Sequence, residues 1–317
     1  MEKILETIKE FDRIIIHGHG RPDGDCIGSQ YGLYYLLKET FPKKEIYVTG
    51  ETSEYVGFIG RPTLLEDDSL FNGALCICLD CGNSERLADK RCFNAAYVIK
   101  IDHHPNVEPY GDYVYVDTTA PACAQILTEF YMKYKNTLKM TKEAATALYV
   151  GINTDTGRFK FDSVNSRTFM AAACLVDNGV DLAYVDNMLS VETLATLKLK
   201  GWVLSNFKMS EHGFAYVAIT RDVINEFGVS DEDAAAQVSA ISTIEGCPVW
   251  ALFIEYPDEI RIRLRSRGPV INLLAAEYQG GGHPKAAGAK LPSWEEQDNF
   301  VKKADALVLE YKNTLEK

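Results

Sequence analysis

Short apolar runs alternate with segments of helical periodicity from residue 13 to residue 180, and this alternation restricts the chain to one class of fold. Arg13–His17 predicts a first strand, and the segment Gly28–Glu39 then carries apolar residues at helical spacing. Further strands are predicted at 47–48, 75–79, 98–101 and 113–116, and helices at 121–136, 141–152, 165–178 and 181–189. Such alternation is typical of an α/β domain with a parallel sheet and helices on both faces.

A second, smaller α/β domain is predicted at 210–317, after a first domain at 1–190. Residues 191–209 contain no proline, and their only glycine is Gly201, so we predict a linker helix there. Strands are predicted at 214–219, 249–254 and 260–265, and an amphipathic helix from Trp294 ends the chain.

Composition excludes several classes of protein. Hydrophobic residues make up 46% of the 317 residues and charged residues 25%, as in soluble globular proteins. The longest apolar stretches are only as long as strands, and Met1–Glu6 lacks the apolar core of a signal peptide, so we expect no membrane partner. Eight cysteines without framework spacing indicate reduced thiols and a cytoplasmic location.

The net charge of −12 argues against tight binding to long duplex nucleic acid, because an acidic surface repels a polyanion. A small anionic substrate in a local basic pocket stays compatible with this charge. Part of the negative charge also comes from the predicted ligand carboxylates, and metal ions bound there would neutralise that part.

Acidic residues and histidines stand at the ends of four apolar segments. They are His19, Asp23 and Asp25 after the first strand, Asp80 after 74–79, Asp102-His103-His104 after 95–101, and Asp155 after 149–154. Catalytic groups in open α/β sheets gather beyond the carboxyl ends of the strands, so these side chains can converge on one crevice. The alternative is that each acid only caps a helix or a solvated turn. Four such matches in order make coincidence a poor explanation.

The residue types in this set favour particular metal ions. Carboxylates with one or two imidazoles favour Mn²⁺ or Mg²⁺ over soft metals, and the nitrogen donors make Mn²⁺ the first choice, with Mg²⁺ or Co²⁺ as alternatives. Two ions roughly 3.5–4 Å apart can clamp both oxygens of an in-line displacement at phosphorus. The sequence therefore predicts a two-metal phosphoesterase.

A basic strand and a glycine-rich loop mark the second domain. Arg261, Arg263, Arg265 and Arg267 alternate with other residues, so all four side chains project from one face of a strand. A solvated edge strand protected by charge would show the same pattern. The loop Gly280–Gly288 follows, and its glycines allow backbone N–H groups to approach an anion closely, with His283 adding positive charge.

These ordered motifs resemble those of the DHH phosphoesterase family, which is named for the tripeptide found here as Asp102-His103-His104. The His-x-x-Pro-Asp-Gly-Asp motif matches at 19–25, the lone strand-terminal aspartate at Asp80, and the fourth motif at 151–157. In the second domain, 264–266 and 280–283 resemble motifs of the DHH-associated domain. The resemblance thus covers nearly the whole chain.

The resemblance implies a role for each motif residue. His19 and Asp23 would bind one ion, Asp25, His103 and Asp155 the other, and Asp80 would bridge them. Asp80, Asp102 and His104 would be the catalytic set, with His104 facing the phosphate or leaving group and Asp102 orienting its neighbours. Residues implied to bind the substrate are Arg265, Ser266, Gly281, Gly282 and His283. Arg86 would either contact a substrate phosphate or be an ordinary surface residue without a role in binding.

The two-domain form most resembles family members that degrade very short RNAs and also dephosphorylate 3′-phosphoadenosine 5′-phosphate. The expected reaction is therefore release of mononucleotides from short single-stranded RNA, together with hydrolysis of that nucleotide. Three alternatives stay open: a phosphodiesterase for linear dinucleotides from cyclic dinucleotide turnover, an inorganic pyrophosphatase, and a nucleotide sensor without catalysis. The pyrophosphatase branch ends in a Lys/Arg-rich signature absent here, and the complete ligand set argues against a sensor. A homodimer is compatible with the sequence.

Overall fold

The computed structural model describes residues 1–315, and the chain divides into one compact unit at Met1–Val191 and a second that begins at Glu192. The first unit contains a five-stranded sheet in the order β2-β1-β3-β4-β5, in which every neighbouring pair is parallel. Its strands are β1 Arg13–His17, β2 Glu45–Thr49, β3 Leu75–Leu79, β4 Tyr97–Asp102 and β5 Tyr113–Val116. Its helices are α1 Glu2–Glu10, α2 Gly24–Thr40, α3 Cys123–Lys133, α4 Lys142–Asp155, α5 Ser166–Asp177 and α6 Leu182–Ser190. The predicted α/β class with a parallel sheet is confirmed.

The two faces of this sheet are covered differently. Ile14 and Ile16 on β1 belong to the same core as the α-helices, whereas Ile15 points to the other face. That second face packs against Phe71 and Cys92, which lie in 3₁₀ turns at 68–71 and 90–94. The expectation of helices on both faces is therefore wrong, because the connections before β3 and β4 have no apolar repeat long enough for an α-helix.

The second unit has a six-stranded mixed sheet in the order β10-β11-β9-β8-β7-β6, in which only β7 and β8 pair in parallel. Its strands are β6 Lys208–Met209, β7 Phe214–Ile219, β8 Val249–Glu255, β9 Ile260–Ser266, β10 Gly281–His283 and β11 Ala286–Leu291. Its helices are α7 Leu194–Asn206, α8 Arg221–Phe227, α9 Asp231–Ala236, α10 Asn272–Ala276 and α11 Gln297–Leu315.

Helix α7 lies within 191–209, the segment predicted to be a linker helix. Its residues Leu199 and Val203 are fully buried. They belong to a core of the second unit together with Ala215 and Val217 from β7. The helix is therefore part of the packing of that unit.

No single helix within residues 1–315 is both long and apolar enough to span a bilayer, and only α5 and α6 taken together, bent by 110°, would meet the length and composition required.

Candidate metal centre and active site

The loop after β1 brings His19 and Asp23 together. Asp23 precedes α2 and caps it, since its Oδ1 accepts hydrogen bonds from the backbone N–H of Asp25 at 3.1 Å and of Cys26 at 3.0 Å. The same Oδ1 lies 3.9 Å from Nε2 of His19. The capping interpretation of Asp23 therefore holds, but it does not remove the carboxylate from the neighbourhood of His19.

Asp25 is held from two sides in the first turn of α2. Its Oδ2 accepts a hydrogen bond from the backbone N–H of Cys123 at 2.6 Å, and its Oδ1 accepts from Ala124 N–H at 2.9 Å and Ser29 Oγ at 3.2 Å. Ala122, the residue before α3, offers no side-chain cap, so the Asp25 carboxylate satisfies free N–H groups at the start of that helix. These bonds fix Asp25 at the contact between α2 and the start of α3.

Asp80 lies at the carboxyl end of β3 and adopts the left-handed backbone conformation, with φ of 54°. Aspartate tolerates this region better than most side chains, and such conformations cluster at functional sites. Its Oδ2 is 3.5 Å from Nε2 of His19, and its Oδ1 is 3.3 Å from Nε2 of His103. The two oxygens of one buried carboxylate thus face two different groups of side chains.

His103 connects Asp80 with the remaining acids. Its Nε2 lies 3.9 Å from Oδ2 of Asp25 and 3.5 Å from Oδ2 of Asp155, the last residue of α4. Its Nδ1 is 3.3 Å from the carbonyl oxygen of Ala120, which holds the ring with Nε2 toward the acids. The structure therefore brings together all six of the side chains predicted to bind metal.

Asp102 fixes the tripeptide from within β4. Its Oδ1 accepts hydrogen bonds from the backbone N–H of His103 at 2.8 Å and of His104 at 3.2 Å. The same oxygen lies 2.8 Å from Nδ1 of His104. Since a carboxylate only accepts, this contact places a proton on Nδ1 and leaves Nε2 of His104 as the nitrogen available to a substrate.

The charges of this cluster fit divalent cations. Although burial opposes it, the carboxylates of Asp80, Asp25 and Asp155 raise the pKa of His103 to about 10. Burial and the neighbouring acids Asp80 and Asp23 raise the pKa of Asp155 to about 6. Protons are thus retained where several carboxylates crowd, and a bound cation would replace them. Within residues 1–315, three groups of possible ligands have donor atoms within 4.8 Å of one another: Asp25, His103 and Asp155; Asp80, His103 and His104; and His19, Cys26 and Asp80.

Cys26 competes with Asp23 for the position beside His19. Its sulfur accepts a hydrogen bond from the backbone N–H of His19 at 3.4 Å. Burial and the charge of Asp80 raise the pKa of its thiol well above the usual range. A neutral thiol is a poor ligand for a hard cation, so Asp23 is the better partner for His19.

Comparison with known proteins agrees with this geometry. The family profile of the DHH family, N-terminal domain, matches residues 13–152, and that of the DHHA1 domain matches residues 212–310. The bifunctional oligoribonuclease and PAP phosphatase NrnA of Bacillus subtilis is 38% identical over 310 residues, covering 98% of this chain and 99% of that protein. The chain belongs to the DHH phosphoesterase family.

Two further proteins resemble this DHH phosphoesterase over nearly its full length. The probable bifunctional oligoribonuclease and PAP phosphatase NrnA of Streptococcus mutans is 37% identical and covers 96% of this chain and 98% of its own length. A crystal structure of an exopolyphosphatase-related protein from Bacteroides fragilis superposes with a TM-score of 0.84 at 26% identity, covering 100% of this chain and 97% of that one. Enzymes of this family are metal-dependent, in agreement with the acidic and histidine groups described above.

In the second unit of this DHH phosphoesterase, β9 carries three of the four predicted arginines on one face, whereas Arg267 follows the end of the strand. Arg261 and Arg263 are exposed and Arg265 is half-buried, while the residues between them are buried. Ala286 pairs with Arg265 on one side and with His283 on the other, so these three side chains stand on the same face. Burial and the charge of Arg263 lower the pKa of Arg265, so an anion bound at this basic face would stabilise its charge.

The other residues predicted to bind substrate have different surroundings. The position of a side chain on Gly281 is open, whereas a Cβ on Gly282 would lie 2.7 Å from the carbonyl oxygen of Ala286. Gly282 also has φ of 130°, so glycine is needed there. Ser266 is buried, and its hydroxyl donates to the carbonyl oxygen of Pro269 at 2.7 Å. Ser266 therefore holds the turn after β9.

Arg86 lies beside the metal-binding loop of the first unit. Its carbonyl oxygen accepts a hydrogen bond from Gly20 N–H at 2.7 Å, and residues 19 and 87 form an isolated β-bridge. The guanidinium is exposed. This position is compatible with either role predicted for Arg86.

Sequence reasoning missed one residue of the site. Lys100 is fully buried in β4 and lies 3.4 Å from Oδ2 of Asp102. The signal was present in the sequence, since a lysine interrupts the apolar run Val98-Ile99-Lys100-Ile101 two residues before the DHH tripeptide.

Proposed function

We propose that this enzyme hydrolyses very short single-stranded oligoribonucleotides to mononucleotides and removes a phosphate from 3′-phosphoadenosine 5′-phosphate, with two divalent cations, Mn²⁺ in first place. The observation that carries the proposal is that the two oxygens of Asp80 face separate groups of ligands, with His19 on one side and His103 on the other. The oligoribonuclease and PAP phosphatase activities named for the Bacillus and Streptococcus relatives support the choice of substrates.

The ligand positions divide into two sets under this proposal. His19 and Asp23 would hold one ion, Asp25, His103 and Asp155 the other, and Asp80 would bridge them. When bound, the ions supply Lewis-acid stabilisation of charge on the phosphoryl group and lower the pKa of water.

The remaining residues would position or bind the substrate and protonate its leaving group. Asp102 orients His104 so that Nε2 donates a proton to the leaving oxygen. Arg265 and His283 on the basic face would bind the substrate's phosphate, with the open backbone at Gly281 giving room. Arg86, which belongs to the first unit, would also contact a phosphate of the substrate.

Replacing the bridging carboxylate tests the metal assignment. Asp80→Asn keeps the shape and tolerates the left-handed backbone, but it removes the charge shared by both ions. We expect kcat/KM to fall by more than about 100-fold, since even changes behind the ligands of a metal site cost about 10–100-fold. Elemental analysis should show fewer bound Mn²⁺ ions per chain.

The matched control is Asp67→Asn, because Asp67 only caps a 3₁₀ turn and asparagine caps equally well. It should leave activity and metal content unchanged. Full turnover by a folded Asp80→Asn protein would refute the metal assignment.

A product-resolved assay tests the substrate. It compares a 5′-phosphorylated RNA dinucleotide, a five-nucleotide RNA, 3′-phosphoadenosine 5′-phosphate and pyrophosphate in Mn²⁺, with EDTA controls. We expect mononucleotides from both RNAs and loss of phosphate from 3′-phosphoadenosine 5′-phosphate. Turnover of the dinucleotide alone would favour a dedicated dinucleotide phosphodiesterase, and turnover of pyrophosphate alone an inorganic pyrophosphatase. Nucleotide binding without any product would favour a nucleotide sensor that has no catalytic activity.

The cytoplasmic location and the homodimer stay predictions. All eight cysteines are unpaired, which agrees with a reducing compartment.

A further inference from the structure

Lys100 is a charged side chain with no exposed surface, located in the middle of β4. Lysine is almost never this buried unless it is paired. Its Nζ donates to the carbonyl oxygen of Gly82 at 2.8 Å and to Oδ1 of Asn106 at 3.1 Å, and it lies over the ring of Tyr110 at 4.9 Å. These neutral partners satisfy its hydrogen bonds but do not neutralise its charge.

The neutralising charge belongs to Asp102. Its Oδ2 lies 3.4 Å from Nζ of Lys100, and both side chains are fully buried. Oδ2 makes no hydrogen bond of standard geometry within residues 1–315, whereas Oδ1 accepts the bonds from His103 and His104. The carboxylate thus has one oxygen directed at Lys100 and the other at His104.

We propose that Lys100 is a positioning residue, whose buried ammonium anchors the Asp102 carboxylate so that Asp102 holds His104 in the orientation needed for proton donation. This inference rests on the proposed role of His104. In that step the oxygen of water forms a bond to phosphorus, and the bond between phosphorus and the leaving sugar oxygen breaks. One proton of the water stays on the new phosphate and the other passes to solvent, while His104 begins the step with protons on both ring nitrogens. The electron pair stays on the leaving oxygen, and the proton on Nε2 of His104 moves to it. His104 keeps its Nδ1 proton, bonded to Asp102.

The leaving group provides the test. Lys100→Met keeps the length of the side chain and removes its charge. On an RNA dinucleotide, where a sugar oxygen must be protonated, we expect kcat to fall about 100-fold, at the lower end of the range for general acid catalysis. On the p-nitrophenyl ester of thymidine 5′-phosphate we expect kcat to be unchanged, because nitrophenolate leaves without a proton. Equal losses on both substrates, or no loss on either, would overturn the proposal.

His104→Asn separates this proposal from the one on which it rests. His104→Asn should lower kcat on the RNA dinucleotide and leave kcat on the nitrophenyl ester unchanged, as Lys100→Met does. Adding Lys100→Met to His104→Asn should not lower kcat on the dinucleotide any further. If His104→Asn loses both activities equally, the role of His104 is wrong. If His104→Asn discriminates between the substrates and Lys100→Met does not, only the role of Lys100 is wrong.

A second pair of variants keeps the test valid if Lys100→Met does not fold with an uncompensated buried carboxylate. Asp102→Asn removes that charge, and the double variant Lys100→Met/Asp102→Asn leaves neither charge buried. In the Asp102→Asn background, Lys100→Met should not lower kcat on the dinucleotide any further. A further 100-fold loss there would mean that Lys100 acts independently of Asp102.

Nuclear magnetic resonance of ¹⁵N-histidine-labelled, Mg²⁺-loaded protein gives a readout besides activity. The Nδ1–H resonance of His104, assigned by its loss in His104→Asn, should be present in the unmodified protein and lost or strongly shifted in Lys100→Met. Metal content should stay the same in both. An unchanged Nδ1–H resonance in folded Lys100→Met would overturn the proposal.

Discussion

The imidazole nitrogen Nε2 of His103 lies within 3.3–3.9 Å of oxygens from Asp80, Asp25 and Asp155. These carboxylates raise the pKa of His103 to about 10 against the effect of burial, so without metal the ring carries an extra proton at pH 7. A metal ion can bind Nε2 only after that proton has left. Metal binding should therefore release a proton from His103.

The affinity for Mn²⁺ should consequently weaken by at least about tenfold for each pH unit between pH 8 and pH 6, since this whole range lies below the raised pKa of His103. The dependence should steepen toward pH 6, where the Asp155 carboxyl, with a pKa of about 6, also holds a proton that the ion must displace. Titration calorimetry in two buffers of different ionisation enthalpy measures the released protons directly. His103→Gln should release about one proton fewer than the unmodified chain. The same binding enthalpy in both buffers would contradict the prediction.

The placement of most site residues follows from one rule, that carboxyl ends of parallel strands meet at one edge of a sheet. The rule covers His19, Asp80 and His103, which follow β1, β3 and β4. It does not cover Asp155, which ends the helix α4. Asp155 was included because it follows the apolar segment 149–154, and its role as a metal ligand comes from the resemblance to the family. The tie between Asp25 and the start of α3 joins residues 98 positions apart, and no local pattern in the sequence reports such a contact.

Helices α2 and α4 pack in close contact at Gly28, so we expect a side chain added there to destabilise the first unit. A Cβ on Gly28 would lie 2.6 Å from the carbonyl oxygen of Ala147 and 2.8 Å from the backbone N of Gly151. Gly28→Ala should therefore destabilise the first unit by about 1–3 kcal/mol, as overpacking of a core does. Circular dichroism during urea unfolding measures the change.

Gly201→Ala is the matched control. Gly201 lies inside α7, and no atom beyond its chain neighbours and the backbone of its own helix lies within 4 Å of its Cβ position. The substitution should therefore stabilise the second unit by about 0.5–1 kcal/mol. Tryptophan fluorescence reports this unit alone, because all three tryptophans lie there: Trp202, Trp250 and Trp294. A destabilised Gly201→Ala, or an unchanged Gly28→Ala, would contradict the packing described here.

Helices and strands with clear periodicity were predictable, whereas the 3₁₀ turns were not. The predicted helix at 165–178 corresponds to α5, and the predicted strand at 260–265 corresponds to β9. The turns at 68–71 and 90–94 are too short to show a repeat, so their residues Phe71 and Cys92 gave no sign that they cover a face of the sheet. Tertiary packing determines where such short 3₁₀ turns form and which side chains they place against the sheet.

Helix α7 belongs to the second unit, so its presence should decide how stable a fragment of that unit is. Leu199 and Val203 of α7 are fully buried, and they belong to the same apolar core as Ala215 and Val217 of β7. Burying each side chain contributes roughly 1.5–3 kcal/mol, so removing α7 should cost about 3–6 kcal/mol. That loss is comparable with the whole stability of a small domain, about 5–15 kcal/mol.

A fragment of residues 192–317 should therefore unfold in one cooperative transition, whereas a fragment of residues 210–317 should unfold at a much lower urea concentration or bind hydrophobic dyes without a transition. Trp250 and Trp294 report on both fragments, so the same fluorescence measurement applies to each. A Leu199→Ala change in the longer fragment should lower its stability part of the way, by about 2–5 kcal/mol, because it leaves a cavity in the core that α7 shares with β7. Equal midpoints for the two fragments would show that α7 is a linker and that its packing contributes nothing to the unit. Since the sequence from 191 to 209 shows only that a helix forms, this measurement decides to which unit the helix belongs.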